Sequence, residues 1–172
     1  MNYEYYLSDD WQWRAKQTIL WQYAGANVAK KISDTERVID IGCGNNWLKP
    51  LVKNLIGIDA INDRADIKIQ LQDFVTDEKF DVAIVFGSMN NLTPEDLRKN
   101  ISLIINLLTP SAKIFWRTMG PGWTHDAHRQ LCNEFNFTLQ FVTDDTFLGP
   151  IIPALPDTEL NRMPRIYAEW VR

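Results

Sequence analysis

The chain has 172 residues, 45% of them hydrophobic and 23% charged, and a formal net charge of −4. That length suits one domain, and that balance suits a folded soluble chain, which excludes disordered and collagen-like classes. The acidic excess argues against a general nucleic-acid binder, which needs a basic face to displace counterions. No apolar run approaches the ~20 residues that span a bilayer, so no membrane partner is expected. Met1-Asn2-Tyr3-Glu4-Tyr5-Tyr6 lacks the basic and apolar regions of a secretion signal. Cys43 and Cys132 show no metal-ligand spacing. Both are read as free thiols of a cytoplasmic protein, with no metal site expected.

Ser8, Asp9 and Asp10 make a helix start, because acidic residues suit the positive end of the helix dipole. The helix is expected to run to about Ile32, with Leu20, Ala24, Val28 and Ile32 on one stripe and Lys30 and Lys31 at its end. Trp13 is expected to pack this helix on the sheet. Tyr5, Tyr6 and Trp11 are open between packing and a lid. Residues 1–36 therefore read as an N-terminal helical segment or lid, ahead of a core over 37–172.

Strands are expected at 38–41, 55–58, 67–71 and 80–86, each a short apolar, β-branched run. Thr93-Pro94-Glu95-Asp96 carries a helix start, with Thr at N-cap and Pro at N1. Leu97, Ile101, Ile104, Ile105 and Leu108 would form its buried face, and Thr109-Pro110 its end. A fifth strand is expected at 112–118, a helix at 124–135, and final strands at 137–142 and 165–171. Alternating strands and helices imply a parallel α/β sheet covered on both faces. Only eight residues, 59–66, separate the second and third strands, fewer than a parallel crossover usually takes. Either that helix is reduced to a turn or the boundaries shift by a few residues. Residues 143–164 form a long loop with Pro150, Pro153, Pro156 and Pro164, a pattern that is functional or disordered.

Chemistry concentrates at Val38-Ile39-Asp40-Ile41-Gly42-Cys43-Gly44-Asn45-Asn46-Trp47. A strand delivers an acid near its carboxyl end, two glycines allow a sharp turn and close approach to a ligand, and a short helix is expected behind them. In an open α/β sheet the ligand crevice lies at that end of the strands. A dinucleotide fingerprint would need glycine where Trp47 stands, and no Walker loop exists. An acid before the glycines suits a cationic ammonium rather than a phosphate.

This stretch resembles motif I of the class I S-adenosylmethionine-dependent methyltransferases. Gly57-Ile58-Asp59 looks like the acid that grips the ribose hydroxyls, with Ala60 beside it, and Asp73-Phe74 like the pair that reads adenine. The run from Phe80 to Phe86 looks like the family's fourth strand, leading through Gly87 into an active-site loop over 87–92. The similarity covers residues 37–172 in order. It implies a Rossmann-like three-layer αβα sandwich, with a seven-stranded, mostly parallel sheet ending in a C-terminal antiparallel hairpin. It also implies S-adenosylmethionine as cofactor, S-adenosylhomocysteine as product, and Asp40, Gly42, Cys43, Gly44, Asp59, Ala60, Asp73, Phe74, Phe86 and Gly87 as cofactor-binding residues.

Two departures stand out: Asn46 occupies a position often held by a third glycine, and the second crossover is short. The Asn/Asp-Pro-Pro-aromatic motif of enzymes that methylate base amino groups is missing after the fourth strand, so a DNA amine is not implied. A small-molecule acceptor is favoured over nucleic acid. Each residue also has a structural reading. Gly42 and Gly44 make a tight turn, Asp40 a helix cap, Asp59 and Asp73 ordinary loop acids, and Cys43 a packing residue. Asn90 either orients a substrate or forms a turn. His125 and His128 are either a base or surface residues. Arg117 meets a substrate anion or makes a surface salt bridge. Arg162 and Arg165 touch an acidic substrate or are solvated. Two other functions stay open: a non-catalytic donor-binding subunit or sensor, and another nucleotide-cofactor enzyme such as a nicotinamide-dependent one.

Overall fold

The computed structural model describes Ser8, residues 21–146 and residues 165–172. Its strands are β1 Val38–Ile41, β2 Leu55–Asp59, β3 Ile67–Lys68, β4 Phe80–Phe86, β5 Leu108–Met119, β6 Thr138–Asp144 and β7 Arg165–Val171. Its α-helices are α1 Ala26–Ala29, α2 Pro94–Leu107 and α3 His125–Glu134, with a 3₁₀ turn at Leu71–Asp73. The strands form one sheet in the order β3-β2-β1-β4-β5-β7-β6. β1 to β5 pair in parallel, and β7 runs against both β5 and β6. This is the expected mostly parallel sheet with its terminal hairpin. The chain steps outward from β1 to β3 and then returns to β4 on the other side, so the order reverses beside β1.

All four residues of β1 are buried, because both faces of the sheet are covered. One face carries Ile39, Ile41, Ala83, Val85, Ile114, Trp116 and Trp170, packed under Ile101, Ile104 and Leu107 of α2 and Leu131 of α3. The other carries Val38, Val82, Ile84, Phe115 and Tyr167, packed under Val28 of α1 and under Leu48 and Val52. The alternation of side chains along a strand assigns the two sets. Burying a side chain such as Ile101 contributes about 1.5–3 kcal/mol. α2 starts as expected: the Thr93 hydroxyl accepts from Asp96 N at 3.1 Å and Pro94 follows at N1. α3 is capped in the same way, with Ala127 N donating to Thr124 Oγ1 at 3.0 Å.

Several expectations need correction. The helix expected to reach Ile32 is confined, among the described residues, to α1; residues 21–25 turn, and Gly25 has φ 51°. Tertiary bonds win here over helix propensity. Gln22 N donates to Thr146 O at 2.8 Å, Tyr23 N donates to Asp145 Oδ1 at 3.0 Å, and Tyr23 stacks on Tyr167 with centroids 4.6 Å apart. Leu20, Tyr5, Tyr6, Trp11 and Trp13 lie outside the described residues. α2 passes into β5 at Leu108, so Thr109-Pro110 lies in the strand, beside a register irregularity between Phe80 and Val82 that tolerates a residue without N–H. Behind the glycines the chain makes consecutive turns over 44–51 in place of a helix.

The third strand is two residues long and exposed, and the crossover before it is only turns. Side chains replace part of the missing ladder. The Asp66 carboxylate accepts from Gly57 N at 2.8 Å and from Lys49 Nζ at 3.0 Å. That blunts the sheet edge. No helix among the described residues is long and apolar enough to cross a membrane.

Candidate functional site

The turn after β1 is pinned on both sides. Gly42 N and Cys43 N donate to Ile58 O at 2.8 and 3.1 Å. Gly42 has φ 72°, and a Cβ there would lie 2.3 Å from Ser88 Cβ. Only glycine admits that approach. Ser88 Oγ donates to Ile41 O at 2.8 Å, so the loops after β1 and β4 meet. Gly44 has φ 55°, and a Cβ there would meet nothing within 4 Å. Its backbone borders open space. Asn46 has φ 57°, a conformation asparagine adopts more readily than most residues. The missing third glycine therefore leaves the backbone path intact.

Three acids differ sharply in setting. Asp40 is 4% exposed on β1, and its carboxylate makes no hydrogen bond among the described residues. Burial, and then the charge of Asp59, push its pKa from 3.8 up to about 7. Asp40 caps no described helix. Asp59 ends β2 and holds its own loop: Oδ2 accepts from Gly44 N at 2.9 Å, and Oδ1 from Ile61 N and Asn62 N at 2.9 and 3.0 Å. Ala60 follows, half-buried. Asp73 is exposed at the end of the 3₁₀ turn, and Phe74 beside it packs on the core. Charge and hydrogen bonds link Asp40, Asp59 and the glycine turn, and no hydrogen bond among the described residues links Asp73 or Phe74 to them. Burial and the charge of Asp40 push the Cys43 thiol up, so it stays protonated and acts as a packing residue.

Phe86 is half-buried against the cluster of Val38 and Ile84. Gly87 N donates to Arg117 O at 2.8 Å. Asn90 Oδ1 accepts from Met119 N at 2.9 Å, which ties the loop after β4 to the end of β5. His125 pairs with Asp144 at the surface, 3.1 Å apart. His128 is not a surface residue. It is fully buried, 5.1 Å from the Trp123 ring, and shares a hydrogen bond of 3.1 Å with Thr118 Oγ1. Burial pushes its pKa down to about 4, so it is a neutral core histidine.

Arg117 is likewise buried, not at the surface. Its Nε donates to Asp145 Oδ2 at 2.6 Å. Trp21 covers it: the Trp21 ring centroid lies 5.3 Å from Arg117 Cζ and 3.9 Å from Arg165 Cζ. Arg162 lies outside the described residues. Sequence reasoning placed Ser88 only as part of the loop over 87–92 and missed Asp145 and Trp21; each acquires its place from partners 28 or more positions away.

A groove of about 410 Å³ opens elsewhere, lined by Arg37, Asn54, Leu55, Ile56, Glu78 and Phe80. It lies toward the amino ends of the strands, the wrong end for a ligand of a doubly wound sheet.

No protein-family model matches the sequence, and no curated protein matches it. Solved structures do match. The 1,6-didemethyltoxoflavin-N1-methyltransferase of Burkholderia thailandensis, with 1,6-didemethyltoxoflavin and S-adenosylhomocysteine bound, aligns with a TM-score of 0.76 at 11% identity, over 99% of this chain and 85% of that one. The magnesium protoporphyrin IX methyltransferase of Synechocystis PCC 6803, with S-adenosylmethionine bound, gives 0.61 at 17% identity, over 84% and 74%. The N-methyltransferase NodS of Bradyrhizobium japonicum WM9, with S-adenosylhomocysteine, gives 0.58 at 15% identity, over 96% and 88%. At these identities the likeness is one of fold: the chain has the Rossmann-like fold of S-adenosylmethionine-dependent methyltransferases.

Proposed function

We propose that this chain, as one domain, transfers a methyl group from S-adenosylmethionine to a small-molecule acceptor and releases S-adenosylhomocysteine. The observation that carries this reading is Asp40, a buried carboxylate with no hydrogen bond among the described residues and a pKa raised to about 7. A buried acid without a partner is costly, and a cation beside it removes that cost. The donor set fits the cofactor. Asp40 takes the ammonium, and the open backbone at Gly42, Cys43 and Gly44 takes the amino-acid end. Asp59 and Ala60 take the ribose, Asp73 and Phe74 take the adenine, and Phe86 and Gly87 wall the sulfur.

When bound, S-adenosylmethionine supplies an electrophilic methyl group on a sulfonium sulfur. The chain's own part is alignment and exclusion of water. Asp59 holds Gly44 in place through the same carboxylate that would meet the ribose. Asn90, His125 and His128 are each engaged with protein partners. That observation favours one second reading, a donor-binding subunit without turnover. Of the similar structures, one holds 1,6-didemethyltoxoflavin and another is a magnesium protoporphyrin IX methyltransferase, and both names are of small-molecule methyltransferases. Two free thiols, Cys43 and Cys132, support a cytoplasmic setting.

Calorimetry with S-adenosylmethionine, S-adenosylhomocysteine and NAD tests the reading. Binding of both sulfur compounds and not of NAD is expected. Binding of neither overturns it, and turnover of any acceptor removes the subunit reading.

A further inference from the structure

We infer that Asn90 determines which acceptor this cleft takes: its side-chain amide donates to a lone pair of the acceptor, on a carbonyl oxygen or a ring nitrogen, beside the atom that is methylated. This rests on the methyl-transfer reading and adds to it a specificity-determining residue and a class of substrate.

The loop after β4 is fastened at three points. Gly87 N donates to Arg117 O at 2.8 Å, Ser88 Oγ donates to Ile41 O at 2.8 Å, and Asn90 Oδ1 accepts from Met119 N at 2.9 Å. Met89, between the last two, is buried. Ser88 sets the loop against Gly42 of the donor turn, and Asn90 sets it against the end of β5. β4 lies between β1 and β5 in the sheet. On the β1 side Gly44 borders open space, and on the β5 side Gly120 does so: a Cβ at either meets nothing within 4 Å. Asn90 therefore stands at the carboxyl ends of the strands, between the donor turn and the end of β5, where an open α/β sheet holds its ligand.

Only one end of the Asn90 amide is engaged. A backbone N–H can only donate, so the bond from Met119 N fixes which end is Oδ1 and leaves Nδ2 on the other side. Nδ2 lies 3.5 Å from the place of a Gly87 Cβ, and Gly87 belongs to the wall proposed for the sulfur. Asn90 is half-buried, and its Nδ2 makes no hydrogen bond among the described residues. Two N–H donors are thus held by a fastened loop beside the reacting centre.

With its oxygen occupied, the amide takes no proton and serves as a donor alone. An anion is held more strongly by a guanidinium or an ammonium, and the loop over 87–92 carries neither. The uncharged amide suits an uncharged lone pair. A bond donated to the nucleophile itself would withdraw the electrons that attack the methyl group. The lone pair it meets therefore belongs to a neighbouring atom, and the bond turns the nucleophile toward the methyl.

The test uses the full chain with S-adenosylhomocysteine bound and three uncharged bicyclic probes: quinoline with a ring nitrogen, 1-indanone with a carbonyl, and indane with neither. The Asn90 side-chain amide protons are followed by NMR, assigned by their nuclear Overhauser contact with Gly87. Quinoline or 1-indanone should shift them saturably and indane should not, and the tighter of the two names the group. Asn90→Asp keeps an oxygen for Met119 N and removes the donors. It should weaken that probe about tenfold or more, read on the Met119 amide, while S-adenosylhomocysteine affinity stays within about threefold. If Asn90→Asp does not fold, the amide shifts of the parent decide alone. Indane binding as tightly as the other two, no shift of the Asn90 amide by either, or undiminished binding in the folded variant overturns the inference and leaves donor binding intact. No binding of S-adenosylhomocysteine overturns the methyl-transfer reading, and with it the acceptor role of Asn90.

Discussion

Asp40 ties a stability prediction to the proposed donor site. Its pKa rises from 3.8 to about 7 in the folded chain. At 1.36 kcal/mol per tenfold change in proton affinity, that rise corresponds to about 4 kcal/mol. The group binds its proton more tightly when folded. Its stabilising effect is therefore complete below pH 3.8 and is lost as pH rises through about 7. Asp40→Asn removes the buried charge, so the variant should gain stability over the parent, progressively from about pH 4 to about pH 7. The gain should then level off at up to ~4 kcal/mol, and donor affinity should be lost. Urea unfolding of both proteins at half-unit pH steps measures the difference. The parent curve alone misleads, because His128 acts in the opposite direction: its pKa falls from 6.5 to about 4, and stability is lost as pH drops across that interval. A difference between variant and parent that is flat from pH 4 to 8 would refute the reasoning. So would undiminished donor binding by Asp40→Asn.

The two glycines of the turn should part company. Gly42→Ala meets Ser88 Cβ at 2.3 Å and should cost about 3 kcal/mol or more, from left-handed backbone strain and overpacking together. Gly44→Ala meets nothing within 4 Å and should cost only about 1–2 kcal/mol in thermal unfolding, yet weaken S-adenosylhomocysteine binding in calorimetry. Asp59→Ala strands the amides of Gly44, Ile61 and Asn62. It should lose about 2–3 kcal/mol and remain folded, with donor affinity down at least about tenfold; unchanged affinity removes Asp59 from the ribose site. His128→Phe should abolish about 3 kcal/mol of acid sensitivity between pH 6.5 and 4, read as the change in its unfolding free energy relative to the parent. An unaltered acid limb would mean that His128 is not the group responsible.

Much of this fold was legible because its signals are local. β1, β4 and β7 coincide with the apolar runs expected of them, and α2 and α3 start at the threonines that cap them. Burial on both faces imposes continuous hydrophobicity on a central strand, and unsatisfied amides impose a cap on a helix start. The acids and glycines after β1 and β2 were legible for the same reason, since a turn of that path needs those residue types within a few positions. The second crossover showed its shortness in a simple residue count.

Within the described residues, the helix expected to continue to Ile32 is broken over 21–25, because the stripe of Ala24, Val28 and Ile32 said nothing about bonds to Thr146 and Asp145, more than a hundred positions away. His128 and Arg117 failed likewise. A lone histidine or arginine carries no mark of burial, and only the closing of β7 against β5 encloses them. By itself, then, the chain determined an alternating α/β core and the acid–glycine turn at its switch point, since short-range sterics and periodicity govern both. Only the tertiary structure decided that Asp40 is a buried acid with no hydrogen bond among the described residues, that Asp59 holds the loop it borders, and that Arg117 is buried on β5 beside Trp21. Burial and charge pairing are properties of assembled surfaces and depend on residues far apart in the chain.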